Sequence, residues 1–499
     1  MRKPKFSKKF LYTLTVITLL LFFILAFQGS RGLWEPDEGR YANIALNMIK
    51  SGNYLVPYIN DETPHFTKPP FIYWAIAASI KLFGRNEWAI RLPNAIAFFG
   101  TTIFIYLMGL HLVRLKPWLP PLVYATSTFP YVALNIVTTD TLLTFWESLA
   151  VMGFLYARWN LQSSKKRIYY DIMWLGFGFA FLTKGPPGLL PLLAIFIYII
   201  IIDGFGGLRQ MVTWEGLLGF LSIGFIWYFL MIAQYPKLFT FFFQNEFLTR
   251  IATGTHKRNY EWYAPFLIYL PLILFGSFPW IIAMTKPIRK LPIFLQKKYW
   301  LDKNKQEPDV IFLILWVLLP LSILCFAKSR LPLYILPLFV PLSIIIAREI
   351  QSVIDLKENR MRIALVSWII LMLTAKYTLS VIPYNRDSRA LAESIKQQVK
   401  EPMEDILFVD KMPYYGLTLY LNMDIERLTI YNETPGGHTI KEEELLTEEI
   451  SELSHEKKFL FIVPKYNLCA FKNAITNLKY KFRPAGYWNH LFFFYLSKN

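Results

Sequence analysis

The chain has 499 residues, of which 54% are hydrophobic, 17% aromatic and 18% charged. A soluble protein of this length would carry more charge and shorter apolar runs, but what decides for a membrane protein is the arrangement of the apolar residues in blocks. The net charge of +18 would indicate a nucleic-acid partner in a soluble chain, but in a membrane chain it indicates basic cytoplasmic loops, and we expect no nucleic acid. The two cysteines, Cys325 and Cys469, indicate neither a disulfide framework nor a thiolate metal site.

The apolar residues come in blocks that are long enough to cross a bilayer. A transmembrane helix needs about 20 mostly apolar residues, and the sequence predicts about eleven such spans. They lie at 10–28, 90–113, 119–135, 140–158, 168–183, 187–203, 214–233, 264–284, 309–326, 331–347 and 362–383. Phe71–Phe83 is too short to cross and is predicted to be an interfacial or buried helix. The basic Met1–Phe10 precedes an apolar run longer than that of a signal peptide, which predicts an uncleaved first helix.

Basic residues define the orientation. With the N-terminus inside, they cluster at the predicted inner loops near 114–118, 158–167, 204–213, 285–308 and 348–361. An eleventh crossing then places the chain after about residue 384 outside. The sequence thus predicts a mainly α, polytopic membrane domain over 1–384, with outer loops at 28–70 and 234–263.

Residues 385–499 have a different composition and predict a small soluble α/β domain at the outer face. Short β-type runs occur at 406–409, 459–463 and 492–496, and the acidic stretch 442–456 is typical of a helix. In the first outer loop, 44–50 has helical character, with Asp37 or Glu38 near the start of that helix.

Ionisable and aromatic residues from five separate connections collect on the predicted outer side. They are Asp37, Glu38, Arg40, Tyr41 and Lys68 in the first loop, Asp140, Lys184, then Glu246, Arg250, His256 and Arg258 in the second loop, and Lys328, Arg330 and Tyr334. Any one charge at a membrane boundary has an ordinary explanation, since the ends of spans are where charges belong. Their joint placement on one side favours a binding or catalytic site instead. Carboxylates suit a general base or a metal, and Lys and Arg suit a phosphate.

No competing motif occurs. The sequence has no P-loop, no dinucleotide glycine fingerprint and no HExxH, and its six histidines make zinc a minority interpretation. Without a nucleotide site, the donor has to carry its own activated bond. A sugar on a polyprenyl phosphate meets that requirement, and its lipid tail suits apolar surface at the membrane boundary.

The same residues carry a family resemblance. WEPDEGRYANIALNMIKSGNYLVPYIN, FTKPPFIYWAIAASIKLFG, RLPNAIA, FLTKGPPGLLP and AKSRLPLYILPLFVPL follow one another in order over roughly residues 30–350. They resemble the bacterial dolichyl-phosphate-mannose–protein mannosyltransferase-like family, which includes the undecaprenyl-phosphate 4-amino-4-deoxy-L-arabinose transferases of lipid A.

The resemblance implies a GT-C fold and an inverting transfer that needs no metal or depends on one weakly. By this resemblance Asp37 and Asp140 match the two acidic positions and Lys68 matches the lysine that contacts the donor phosphate. Thr67 stands where the aminoarabinose enzymes commonly have Glu, which leaves any metal or amino-sugar contact there in question.

The sequence therefore predicts an inverting glycosyltransferase of the bacterial inner membrane, with its active site on the periplasmic side. Asp37, helped by Asp140, positions or deprotonates the acceptor, while Lys68, Lys184, Arg250 and Arg330 hold the departing phosphate. The expected partners are a polyprenyl-phosphate sugar, lipid A or another envelope acceptor, and membrane lipids. No cofactor is required, and a divalent metal stays an option. Two alternatives remain open: transfer to protein or another glycan, and a lipid or sugar transporter.

Overall fold

The structure is a computed structural model that describes residues 8–160, 162–248, 259–281, 307–356, 358–430, 444–446, 458–478 and 480–498. The chain divides into two compact units. The first comprises Met1–Phe27 and Pro93–Lys376, and the second comprises Gln28–Leu92 and Tyr377–Asn499. Most of the first outer loop thus clusters with the C-terminal residues.

The helices lie, in chain order, at α1 Lys8–Leu25, α2 Asp37–Ser51, α3 Phe71–Phe83, α4 Glu87–Leu112, α5 Leu119–Thr126, α6 Thr128–Leu134, α7 Thr139–Trp159, α8 Ser163–Lys184, α9 Leu190–Asp203, α10 Phe205–Met211 and α11 Trp214–Gln234. Further helical segments lie at Leu238–Thr240, Phe241–Leu248, Ala264–Gly276, Pro308–Phe326, Phe339–Ile350, Asn359–Val381, Ser388–Gln398, Leu417–Leu421 and Leu468–Asn477. Short 3₁₀ turns lie at Pro186–Leu189, Pro332–Leu338 and Lys465–Asn467.

Six helical stretches among the described residues are long and apolar enough to cross a membrane. They are Glu87–Leu112, Pro186–Asp203, Trp214–Gln234, Pro308–Phe326, Pro332–Ile350 and Asn359–Val381. The membrane character of the chain is thus confirmed, whereas the eleven predicted spans are not. The span predicted at 119–135 is interrupted at Ser127, whose backbone is extended, and Pro130 lies in the first turn of the helix that follows. Charged residues at both ends of α7 and at the start of α8 lower the apolar character of those two helices.

In the first unit, α7 and α8 pack closely enough to place the start of one beside the end of the other. A Cβ on Gly153 would lie 2.8 Å from the backbone nitrogen of Met173, and a Cβ on Gly176 would lie 2.8 Å from that of Ala150. Glycine at both positions therefore lets the backbones approach, as small residues do between membrane helices. The contacts 153–173 and 150–176 run in opposite directions, so the helices are antiparallel.

Within the described ranges, the second unit contains a six-stranded sheet. The strands are β1 Asp405–Val409, β2 Asp424–Thr429, β3 Glu444–Leu445, β4 Phe459–Pro464, β5 Tyr480–Trp488 and β6 Leu491–Lys498. Their order is β3-β2-β1-β4-β6-β5. The first four strands are parallel, and β6 pairs antiparallel with β4 and β5.

Apolar residues cover both faces of this sheet because neighbouring side chains along a strand point to opposite sides. Ile406 and Phe408 pack in the cluster that contains Leu391 of helix Ser388–Gln398. Leu407 and Val409 belong to the opposite cluster, together with residues of helix Leu468–Asn477.

The predicted α/β character of the C-terminal residues and three of its strands are confirmed at β1, β4 and β6. The prediction of a helix at 442–456 is wrong at its start, because Glu444–Leu445 form strand β3 and extend the parallel sheet. Residues 447–457 lie outside the described part of the chain. The helix predicted at 71–83 is present as α3, and the one predicted near 44–50 is present as α2.

Candidate active site

Helix α2 carries the acidic motif of the first loop at its N-terminal end. Pro36 precedes the helix, and Asp37 and Glu38 occupy its first turn. The first N–H groups of a helix lack partners within it and carry partial positive charge, so acidic side chains are favoured there. The two neighbouring carboxylates nevertheless occupy opposite environments.

Glu38 faces the interior of the second unit and is 1% exposed. Its carboxylate accepts hydrogen bonds from Arg31 Nη1 and Nη2 at 2.8 and 2.9 Å, and from Arg91 Nη2 at 3.0 Å. Burial raises the pKa of Glu38, but the charges of the two arginines outweigh burial and lower the pKa to about 2. Glu38 is therefore ionised and enclosed by two cations, which suits holding the loop together rather than contacting a substrate.

Asp37 faces outward, and its side chain is 49% exposed. Its Oδ1 accepts a hydrogen bond from Arg40 Nη2 at 2.6 Å, one helical turn away. The Arg40 guanidinium lies 5.5 Å from the centroid of the Tyr41 ring, and Tyr41 is itself 3% exposed beside Tyr73. Of the two acids, Asp37 is thus the one that a substrate can reach, and Arg40 fixes its orientation.

Lys68 lies in the segment that leads into α3, and it is half-buried. Nearby in sequence, His65 is 4% exposed, and its Nε2 lies 2.6 Å from Thr67 Oγ1. The Thr67 hydroxyl is thus engaged by a buried histidine. Among the described residues, no group of three or more His, Cys, Asp or Glu side chains is placed to hold a metal ion.

In the first unit, Asp140 and Lys184 form a buried ion pair between Lys184 Nζ and Asp140 Oδ1. Their side chains are 7% and 6% exposed, respectively. Asp140 is the second residue of α7, and Lys184 is the last residue of α8, which ends because Gly185 adopts a φ of 73°. The antiparallel packing of the two helices therefore builds the pair. Lys184 Nζ also lies 4.3 Å from the centroid of the Tyr334 ring.

Arg330 and Lys328 lie in the connection before the 3₁₀ turn Pro332–Leu338. Arg330 is 2% exposed, and it donates hydrogen bonds to the carbonyl oxygens of Asn259, Glu261 and Cys325 at 2.9, 2.7 and 2.9 Å. Its Nε has no hydrogen-bond partner within the described ranges. Lys328 is exposed. Arg330 thus stabilises the backbone around it.

Four residues predicted for the site are not described. Arg250, His256 and Arg258 lie outside the described residues, and so does the side chain of Glu246, which belongs to Phe241–Leu248. Their predicted roles stay predictions.

One buried carboxylate, Glu147, escapes the sequence reasoning, and a second, Glu35, belongs to the acidic motif of the first loop but is given no role by it. Glu147 is 2% exposed on α7, within range of electrostatic interaction with Lys184 and Asp140. Its spacing of seven residues from Asp140 places both on one helix face, which is a usable signal in the sequence. Glu35 is 6% exposed in the second unit and has no such signal, since its partners lie more than 350 residues away.

The pKa of Glu35 reflects this enclosed position. Burial raises the pKa of Glu35 to about 8, although the hydrogen bonds from Ser388 and Gly416 act in the opposite direction and lower the pKa. The charged and titratable groups that interact with it are Arg40 and Glu38 on α2, and Tyr414. Its Oε2 has no hydrogen-bond partner within the described ranges.

Residues 67–233 match the family described as dolichyl-phosphate-mannose-protein mannosyltransferase. An undecaprenyl phosphate-α-4-amino-4-deoxy-L-arabinose arabinosyl transferase of Shewanella sediminis is 32% identical over 353 residues, which are 68% of this chain and 60% of the relative. A protein of the same name from Aeromonas salmonicida is 32% identical over 359 residues, or 70% of this chain and 62% of the relative. The chain thus spans about three fifths of the length of these relatives.

Among solved structures, ArnT from Cupriavidus metallidurans bound to undecaprenyl phosphate aligns with a TM-score of 0.77 over 98% of both chains, at 17% identity. Its apo state aligns with a TM-score of 0.74 and 18% identity over the same shares. At this level of identity the likeness concerns the fold, and it confirms the GT-C type of architecture. The predicted resemblance is therefore confirmed, with residues 67–233 matching the dolichyl-phosphate-mannose-protein mannosyltransferase family.

Proposed function

We propose that this protein is an inverting glycosyltransferase that moves 4-amino-4-deoxy-L-arabinose from undecaprenyl phosphate to lipid A. The observation that carries the proposal is the half-exposed Asp37 at the start of α2, in a chain whose relatives are named as such transferases. The fold shared with ArnT supports it. The chain spans about three fifths of the length of those relatives. The identity of the sugar and of the acceptor is therefore inferred from the names of the relatives.

In the proposed reaction Asp37 accepts the proton of the acceptor hydroxyl while that oxygen attacks the anomeric carbon. The new carbon–oxygen bond forms on the face opposite the phosphate, and the bond from the anomeric carbon to the phosphate oxygen breaks. The electron pair leaves with undecaprenyl phosphate, so the configuration at the anomeric carbon inverts. A general base typically contributes about 10²–10⁴ to the rate.

The proposed roles of the cations follow from the charge that develops on the departing phosphate. Lys68 and Lys184 supply point charges, and Arg250 and Arg330 supply N–H donors. Asp140 positions Lys184 through their buried ion pair. Glu246, His256, Arg258 and Lys328 stay candidates for contacts with sugar or acceptor, and Tyr334 contributes the ring beside Lys184.

We place the enzyme in the bacterial inner membrane, with residues 385–499 and the reaction on the periplasmic side. The charge bias of the predicted inner loops supports this orientation. We propose that the chain crosses the membrane about eleven times. An amino sugar on lipid A adds positive charge to lipopolysaccharide, so the enzyme would raise resistance to polymyxin.

The decisive variant is Asp37→Asn, which keeps the size of the side chain and removes the base. We expect transfer to fall by about 10²–10⁴, while the thermal unfolding of the purified protein stays unchanged, because Asp37 is half-exposed. The exposed Glu62→Gln variant of the same loop is the matched control. An Asp37→Asn protein with near-normal turnover would contradict the assignment.

The acceptor is identified by mass spectrometry of lipid A from cells with and without the gene. A mass increment that depends on the gene supports lipid A as the acceptor. An unchanged lipid A with altered glycoprotein or glycan would favour protein or glycan transfer. Movement of the lipid-linked sugar by purified protein in liposomes, without transfer, would favour a transporter.

A further inference from the structure

Glu35 stands two residues before Asp37, with only Pro36 between them. Its side chain is buried, and its Oε1 accepts two hydrogen bonds from the C-terminal segment of the same unit. Ser388 Oγ donates one at 2.6 Å, and the backbone N–H of Gly416 donates the other at 2.7 Å. One carboxylate oxygen thus joins the start of α2 to two separate points of that segment.

The backbone repeats this connection. The N–H of Glu35 donates to the carbonyl oxygen of Arg386 at 2.9 Å, and the N–H of Ser388 donates to that of Leu33 at 3.0 Å. These bonds form a short antiparallel bridge, at Trp34 and Asp387, between the first loop and the beginning of helix Ser388–Gln398. Both the main chain and the side chain of Glu35 are therefore held by the C-terminal segment.

The space around the carboxyl group is closed by two glycines. A Cβ on Gly39 would lie 2.0 Å from Glu35 Oε1, and a Cβ on Gly416 would lie 2.8 Å from the same atom. The first turn of α2 therefore packs directly on the Glu35 carboxyl group. Any shift of that group moves the turn that carries Asp37.

The next turn of α2 has a contact of the same kind. Thr418 Oγ1 donates a hydrogen bond to Asn43 Oδ1 at 2.7 Å, and Tyr420 Oη accepts one from the N–H of Leu33 at 3.0 Å. Both Thr418 and Tyr420 belong to the short helix Leu417–Leu421, which follows Gly416. By contrast, the Asp37 carboxylate bonds to Arg40 of its own helix. The position of Asp37 thus depends on the contacts that hold the first turn of α2, which are made by Glu35 with Ser388 and Gly416.

We propose that the C-terminal α/β domain sets the position of Asp37, and that Glu35 is the positioning residue through which it does so. The inference rests on the proposed function, in which Asp37 activates the acceptor. It gives residues 385–499 a role in transfer, although they supply none of the predicted catalytic or phosphate-binding side chains. The requirement is for a hydrogen-bond acceptor at the place of Glu35 Oε1, not for a negative charge.

The test compares Glu35→Gln, which keeps an acceptor oxygen, with Glu35→Leu, which keeps a similar volume without one. Full-length protein is placed in vesicles with lipid A, and undecaprenyl-phosphate 4-amino-4-deoxy-L-arabinose is the donor. Active sites are counted by binding of undecaprenyl phosphate, so that misfolded protein does not enter kcat. We expect Glu35→Leu to lower kcat by about 10²-fold at unchanged donor KM, and Glu35→Gln to stay within about threefold, since small misplacements of reacting groups have effects of that size.

Ser388→Ala removes one of the two donors, and we expect it to lower kcat less than Glu35→Leu does. The matched control is Glu401→Gln, which loses the exposed ion pair with Arg483 in the same domain and is expected to keep wild-type kcat. A Glu35→Leu protein with wild-type kcat per active site overturns the inference. So does an equal loss in Glu35→Gln and Glu35→Leu, because it would assign the carboxyl group to the chemistry. A wild-type protein without transfer activity overturns the proposed function, and this inference with it.

Discussion

Replacing Glu38 by glutamine should destabilise the second unit without touching the chemistry directly. The change removes the negative charge that faces both Arg31 and Arg91 in the interior, and leaves two buried cations opposite each other. The pKa of Glu38 lies at about 2 instead of 4.5. At about 1.36 kcal/mol for each pH unit, this difference corresponds to roughly 3 kcal/mol. Removal of one partner from a buried ion pair costs about 3–5 kcal/mol, which agrees in size.

The assay is thermal unfolding of the purified full-length protein at pH 7. A loss of about 3 kcal/mol lowers the midpoint by roughly 6–12 °C in a unit of this size. The exposed Glu62→Gln variant of the same loop is the control and should unfold like the wild type. A Glu38→Gln protein that keeps its unfolding midpoint but loses transfer would refute the reasoning, because Glu38 would then act on the substrate.

Two further predictions concern Glu35 and the buried pair. The Glu35 carboxyl group keeps its proton up to about pH 8 in the folded protein and loses it near 4.5 when unfolded. The stability of the second unit should therefore fall as pH rises between these values, by up to about 1.36 kcal/mol per pH unit. Glu35→Gln should flatten this slope in unfolding measured from pH 5 to 8, and an unchanged slope would contradict the buried acid. Lys184→Ala should destabilise the first unit by about 3–5 kcal/mol, because it leaves the Asp140 carboxylate buried and unpaired. The double variant Lys184→Ala/Asp140→Ala should recover the wild-type unfolding midpoint but not the transfer activity. If the double variant recovered the transfer activity as well, the Asp140–Lys184 pair would have no role in the reaction.

The fold is predictable where the signal is local. The short apolar run at 71–83 and the β-type runs at 406–409 and 459–463 predict α3, β1 and β4, because both patterns reflect neighbours in sequence. The split at Ser127 and the strand Glu444–Leu445 depend on surrounding packing, which a window of sequence does not contain. The eleven predicted spans are not confirmed, since only six stretches of the described residues are long and apolar enough to cross a membrane. Helix α7 is not among the six because it carries charged residues, which pair with residues of other helices.

The candidate site divides in the same way. Asp37 at a helix start, Lys68 before two prolines and Asp140 at the start of a span are all recognisable from motifs. The opposite environments of Asp37 and Glu38 cannot be predicted from a motif. The burial of Glu38 depends on Arg91, which lies more than 50 residues away in the sequence. Glu35 is the extreme case, since its partners come from the other end of the chain.

The discontinuity of the second unit has a consequence for its synthesis. Ribosomes that make about 5–20 residues per second need roughly 15–60 s to pass from residue 92 to residue 377, where the unit resumes. Throughout this interval the nascent loop with α2 has no sheet to dock against, and the Glu35 carboxyl group stays hydrated. The loop with α2 can therefore complete its contacts only after Ser388 and Gly416 have been made, and a chain truncated before Ser388 would leave the Glu35 carboxyl group without either donor.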